Sequence, residues 1–259
     1  MLKLCMVGAM GRMGQTIIFE GMSNYKDKLE FVSGVDRKEG DMCGVKVYPS
    51  DKIADAVKDA QITINFTHAD AEVKNVEAIA KEKKDMVIGT TGFSEEQEKA
   101  IEKAIKENGV SAVIAPNFSP LVNTQIFLAK KATEILAPLG YNIGIVEEHH
   151  TGKADSPSGT AKALAKAIIA GGGPQNINYW KDEKRKKEKD QLDMAVLRLG
   201  GTAGQHEVRI VGAHGRLVLE TLMYNRSDFA KGALDAALWL AKNRGDGKIF
   251  GMGDILNLV

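Results

Sequence analysis

Between Glu147 and Ala161 the chain reads Glu-Glu-His-His-Thr-Gly-Lys-Ala-Asp-Ser-Pro-Ser-Gly-Thr-Ala, gathering acids, two histidines, a lysine and a Gly-Thr helix start in one short stretch. Such a set can move protons and hold an anion. Histidine titrates near neutrality, so His149 and His150 are candidate proton donors or acceptors. Lys153 adds a full positive charge. Ser158, Gly159 and Thr160 open an apolar helical run, where backbone N–H groups and the positive end of the helix dipole suit a carboxylate or phosphate. The blander reading makes the histidines strand-end residues satisfied by backbone carbonyls. Their company favours an acid/base role, because active sites gather on such connections. A metal centre is not expected: adjacent His149 and His150 point to opposite faces of a strand, no cysteine lies nearby, and Lys153 repels a cation.

The apolar run Tyr141 to Val146 reads as the strand that delivers this cluster at its end, and Ala161 to Ala170 as the amphipathic helix after it. A second constellation opens the chain. Leu2 to Val7 is a short apolar run, followed by Gly8-Ala9-Met10-Gly11-Arg12-Met13-Gly14 and a helical pattern from Gln15 to Met22. This strand, glycine turn and helix carry G-x-x-G-x-x-G in place of the usual dinucleotide fingerprint G-x-G-x-x-G, which alone is a weak signal. The second strand, Leu29 to Val35, ends in Asp36, where a ribose-binding acid belongs. Nucleotide binding is therefore expected.

Helices over Asp51 to Asp59, Ala69 to Lys83 and Glu95 to Glu107 alternate with strands over Gln61 to Phe66, Met86 to Ile88 and Val110 to Ile114, the pattern of an α/β doubly wound parallel sheet. Ligands bind beyond the carboxyl ends of such strands, so Phe66-Thr67-His68, Gly89-Thr90-Thr91-Gly92 and Ala115-Pro116-Asn117-Phe118 form the expected cofactor rim. Near Ser119 the pattern changes. A long helix from Val122 to Ala137, the central cluster and strands over Leu192 to Leu197, His206 to Val211 and Leu217 to Met223 predict a second, α+β domain with an open antiparallel or mixed sheet. Phe229 to Lys242 is an amphipathic helix expected to return to the first domain with Ile249 to Leu258. The expected domains are thus 1–118 with 229–259, and 119–228, with hinges at Asn117 to Pro120 and Arg226 to Phe229.

The 259 residues, 44% hydrophobic and 27% charged with net charge +1, describe an ordinary soluble chain and imply small-molecule partners over nucleic acid or membrane. Cys5 and Cys43 are the only cysteines and build no disulfide framework, so a reducing cytoplasm is the expected setting. Lys181 to Asp190 is a mixed charge run. Its interleaved acids argue for a solvated loop or frayed helix over a nucleic-acid arm, although Tyr179-Trp180 precedes it.

The glycine turn, Phe66-Thr67, Gly89-Thr90-Thr91-Gly92-Phe93, Asn117-Phe118-Ser119 and above all Glu147 through Ala161 resemble, in order and spacing, the motifs of the dihydrodipicolinate reductase family. That resemblance implies a Rossmann-like domain built from both termini, and a central domain whose sheet makes a homotetramer. It implies reduction of 4-hydroxy-tetrahydrodipicolinate, a cyclic imine dicarboxylate of lysine and diaminopimelate biosynthesis, by NADH or NADPH. It makes His149 the proton donor/acceptor, Lys153 a second proton donor, His150 a substrate ligand, and Gly159 with Thr160 the carboxylate-binding turn. Asp36 favours NADH by repelling a 2′-phosphate, and Arg37 can offset this, so both cofactors are expected to work with NADH modestly favoured. The departures are Asp193, Gln205 and the Thr221 to Arg226 stretch. They leave open a related imine as substrate, or a nucleotide-responsive binding protein without turnover.

Overall fold

In this computed structural model, residues 1–179 and 186–258 are described. Trp180 and Lys181 to Arg185 of the charge run lie outside the described residues. In chain order the elements are β1 (Leu2–Val7), α1 (Arg12–Asn24), β2 (Leu29–Asp36), β3 (Gly40–Met42), β4 (Val45–Pro49), α2 (Ile53–Val57), β5 (Ile62–Asn65), α3 (Ala69–Lys81), β6 (Asp85–Ile88), α4 (Glu95–Asn108) and β7 (Ala112–Ile114). There follow α5 (Pro120–Leu136), β8 (Asn142–His149), α6 (Gly159–Ala170), β9 (Asn176–Asn178), β10 (Gln191–Arg198), β11 (Gly204–Val211), β12 (Arg216–Met223), α7 (Ser227–Leu240), β13 (Ile249–Phe250) and α8 (Met252–Leu256). The chain divides into two compact units, Met1–Pro120 with Arg226–Val259, and Leu121–Asn225.

The first unit is an eight-stranded sheet in the order β13-β7-β6-β5-β1-β2-β4-β3, parallel except for the β3/β4 pair. Strand alternation assigns its two cores. Leu4 and Met6 pack with Ile17 and Ile18 of α1 and with Ala233, Leu234 and Ala237 of α7, whereas Cys5 and Val7 pack with Val57, Ile79 and Ile105 of α2, α3 and α4. The chain leaves β1 to build β2 on one side and later β5 on the other, which makes the carboxyl end of β1 the switch point where a doubly wound sheet binds its ligand.

Short β3 and β4, absent from the sequence reading, extend the β2 edge. The expected helix over Asp51 to Asp59 is a 3₁₀ turn, Ser50–Lys52, followed by the shorter α2.

The second unit is a five-stranded mixed sheet, β12-β11-β8-β10-β9, with β10 parallel and β11 antiparallel to β8. Ile143, Ile145, Leu192, Met194, Val208 and Ile210 pack against Leu164, Ala165 and Ile168 of α6 and Ala129 of α5. The central strand runs further than expected. Both ladders continue to its last turn, pairing Glu147 with Val196 and His206, and His149 with Arg198, so Glu147 to His149 lie within β8 and not in a loop beyond it. Alternation then puts Glu147 and His149 on the same buried face as Ile143 and Ile145.

Phe118, expected on the cofactor rim, is 1% exposed, and its ring lies 5.8 Å from that of Phe66. Its carbonyl presses on Gly232 of α7, where a Cβ would come within 1.7 Å of the oxygen. Phe118→Ala should therefore act as a core truncation, destabilising the first unit by about 3–5 kcal/mol. Urea titration followed by tryptophan fluorescence measures this, and a midpoint equal to wild type would remove Phe118 from the core.

Candidate active site

The glycine turn shapes a cleft at the carboxyl end of β1. Gly8 has φ +89°, and a Cβ there would meet the Phe66 carbonyl oxygen at 2.2 Å, so only glycine lets β1 pass this close to the β5 loop. Gly11 caps α1 without any side-chain cap, which leaves the start of this helix suited to a pyrophosphate. Asp36 is held in place by two backbone donors: the Met10 N–H reaches Oδ2 at 2.8 Å and the Arg37 N–H reaches Oδ1 at 2.7 Å.

The resulting cleft, about 660 Å³, is lined by Gly8, Met10, Gly11, Arg12, Met13, Asp36, Arg37, Phe66, Thr67, His68, Gly89, Thr90 and Thr91 of the expected residues, and also by Ser50 and Asn75. Ala9, Ala115, Pro116, Asn117 and Phe118 do not line it. Ala9 and Ala115 are buried, and Phe118 belongs to the core described above. A dinucleotide fits these residues: a glycine cradle, an uncapped helix start and a pinned carboxylate stand in the order that pyrophosphate and ribose require.

In the second unit the chemistry converges on Glu147, which has no exposed surface. Its Oε1 accepts from the Ser158 N–H at 2.9 Å and from Nη2 of Arg198 at 3.3 Å. Nδ1 of His149 lies 3.1 Å from Oε2, off the line of a hydrogen bond, and Nε2 of His206 lies 3.6 Å away. Burial by itself would raise this carboxyl's pKa, but His149, His206 and Ser158 together outweigh it and hold the group well below the ordinary carboxylate range. His206 is shifted down from 6.5, chiefly by burial, against the opposing pull of Glu147. Its Nε2 lies 3.0 Å from the Ser158 hydroxyl, which also accepts from the Ala161 N–H at 3.1 Å as the N-cap of α6.

Ser158 therefore spends its N–H and hydroxyl inside the protein, and the outward residues of the expected anion turn are Gly159 and Thr160. At Gly159 a Cβ would meet nothing within 4 Å. His149 is 7% exposed. Half-buried His150 donates its N–H to the Thr202 carbonyl at 2.7 Å, and Nζ of Lys153 lies 2.8 Å from Asp155. Glu147, His149 and His206 offer three ligand atoms within 4.8 Å of one another, a spacing a cation could use. Arg198 already neutralises the shared carboxylate, which favours an ion-paired acid/base cluster over a cation site.

The family models for the dihydrodipicolinate reductase N-terminus and C-terminus match residues 2–118 and 122–256. The chain belongs to this family. It is 38% identical to 4-hydroxy-tetrahydrodipicolinate reductase of Methanospirillum hungatei JF-1 over 261 residues, and 36% identical to that of Methanocaldococcus jannaschii over 279, with all of this chain and 98–100% of each relative covered. The fold is similar to that of dipicolinate-bound dihydrodipicolinate reductase from Paenisporosarcina sp. TG-14, with TM-score 0.79 and 21% identity over 98% of this chain and 99% of that one.

Within this family frame the departures fall outside the acid/base cluster. Asp193 accepts from Lys187 at 2.6 Å, Gln205 donates to Glu220 at 2.6 Å, and Thr221 donates to Gln125, whose amide spans the carbonyls of His206 and Leu219. Sequence reasoning gave no role to His206 or Arg198, which reach Glu147 from neighbouring strands. Only the strand register places them, and no local spacing announces it.

Acid should weaken this cluster in two steps. His206 is held neutral, so the unfolded chain binds its proton first, and stability falls as pH drops from about 6.5 through the lowered folded value. Below about 4.5 the unfolded carboxyl takes up a proton that folded Glu147 refuses, and further stability is lost. Urea midpoints between pH 8 and 4 check this: His206→Gln should flatten the upper step, and an unchanged slope would show that His206 does not titrate there.

Proposed function

We propose that the protein reduces 4-hydroxy-tetrahydrodipicolinate to tetrahydrodipicolinate, with release of water, in the formation of diaminopimelate and lysine. The observation that carries this reading is the buried Glu147 carboxylate, set against two imidazoles at the base of an open helix start. The cleft at the end of β1 holds NADH or NADPH, which supplies the hydride. His149, whose Nδ1 lies 3.1 Å from the Glu147 carboxylate, gives or takes the balancing proton at its other nitrogen. Lys153 is the second proton donor and a counter-charge for the dicarboxylate, and His150 is a further ligand. Gly159 and Thr160 hold one substrate carboxylate at the start of α6, where helix dipole and N–H groups both favour the anion.

The face of the five-stranded sheet away from α5 and α6 carries Val146, Ala195, Leu197, Val218 and Leu222, with Leu197 and Leu222 each more than 40% exposed. These side chains, interleaved with Glu148, Glu207, Arg209 and Glu220 on the same face, support assembly as a homotetramer through the sheet. No helix among the described residues is long and apolar enough to cross a membrane.

Mixed with reduced nicotinamide nucleotide and the fresh product of dihydrodipicolinate synthase, the protein should bleach the nicotinamide absorbance. His149→Gln should lower kcat by roughly 10²-fold with little change in KM, and an unchanged kcat would take His149 out of the chemistry. The pinned Asp36 accepts hydrogen bonds from both adenine-ribose hydroxyls and repels a 2′-phosphate, whereas Arg37 pairs with that phosphate. Both cofactors should work, NADH modestly better. Arg37→Ala should cut kcat/KM for NADPH by about tenfold and spare NADH; equal losses would show that Arg37 does not read the phosphate.

A further inference from the structure

Helix α3 brings a second buried carboxylate, Glu72, to the carboxyl ends of β5 and β6. It has no exposed surface, and no lysine or arginine among the described residues pairs with it. Neutral donors satisfy it instead. Nδ2 of Asn65 donates to Oε1 at 2.7 Å, while the hydroxyl of Thr67 and that of Thr90, at 3.1 Å, donate to Oε2. The Thr90 oxygen in turn accepts from the Thr67 N–H at 2.9 Å, and the Gly89 N–H donates to the Asn65 carbonyl at 2.9 Å. Burial raises the Glu72 pKa, and the hydroxyl and amide donors oppose that rise. An acid kept this deep against the cost of desolvation, where no charge partner demands it, calls for a reason beyond packing.

The place supplies one. Asp36 puts the adenosine half of a dinucleotide over β2, and the glycine turn puts the pyrophosphate over β1. The nicotinamide half then falls on the opposite side of β1, over the loops that follow β5 and β6. Those loops are Phe66 to His68 and Gly89 to Thr91, the two that Glu72 ties together. Close packing makes them interdependent, since a Cβ at Gly89 would lie 2.2 Å from the Phe66 ring. Thr90 is 4% exposed with its hydroxyl turned inward, so at this position the rim offers the cofactor backbone groups, whose positions depend on the carboxylate beneath.

We propose that Glu72 is a positioning residue for the nicotinamide end of the cofactor, its carboxylate fixing the Thr67 and Thr90 loops in the spacing that the ring requires. The proposal rests on reading the cleft as the dinucleotide site. In the full-length protein, affinities for NADH and for ADP-ribose, which lacks the nicotinamide, are measured by titration beside kcat. Glu72→Ala should weaken NADH by about tenfold, as expected for the loss of one charge-assisted network, and lower kcat, yet change ADP-ribose by less than twofold. Glu72→Gln, which keeps the shape and one of the two acceptor oxygens, should recover part of the loss. Equal weakening of both ligands, or no weakening of either, overturns the proposal. A wild-type protein that binds neither ligand overturns the cofactor reading itself.

Discussion

The burial of Glu147 at the end of the central strand is the constraint on which the second unit depends. An ionised carboxylate without exposed surface persists only where donors and opposite charge replace water. Here they come from the start of α6 through the Ser158 N–H and from β10 through Arg198, while the imidazoles of His206 on β11 and His149 on β8 lie within 3.6 Å of Oε2 without a hydrogen bond to it. One side chain thus sits between the start of α6 and groups on three neighbouring strands. Removal of the carboxylate alone would leave a guanidinium and two imidazoles facing one another. Such a cluster is costly to dismantle piecemeal, which suits a site whose groups must hold their relative positions while protons move.

The first unit solves a different problem. Its cleft depends on backbone proximity, and the side chains there serve to let main chains approach: no Cβ at Gly8, none at Gly89, and a core aromatic pair, Phe66 and Phe118, behind the rim. Buried carboxylates appear in both units, and neighbouring donors surround each. At Glu147 these include cationic and titratable groups, which suits proton transfer. At Glu72 they are neutral hydroxyls and an amide, which suits a fixed scaffold.

Much of this was legible in the sequence because the signals were local. The six-residue apolar run before Gly8, the position of Asp36 and the helical spacing after each strand describe neighbours along the chain, and the doubly wound sheet followed from them. The motif from Glu147 to Thr160 was legible as chemistry for the same reason. What escaped was long-range or short. His206 and Arg198 meet Glu147 only through strand register, and Glu72 looks in sequence like one more acid in the first turn of a helix. Strands β3 and β9, three residues each, are too brief for periodicity to reveal, while β4 escaped although it is longer than β5 and β6. Ala115 and Phe118 lie on a turn at the expected edge of the sheet but are buried: such a turn presents some residues outward and buries others, and sequence spacing does not separate the two.

The closing elements of the first unit come after the second in the chain. Helix α7 supplies Ala233, Leu234 and Ala237 to the core beneath β1, and β13 completes the sheet edge beside β7. On the ribosome, therefore, the first 120 residues emerge with that apolar face covered only by α1, and the whole of Leu121–Asn225 is made before the rest of its cover arrives. The second unit is contiguous in the chain, while the first is completed only by α7 and β13. During that interval the nascent chain carries a partly exposed sheet face, and this is the period in which a chaperone would engage it.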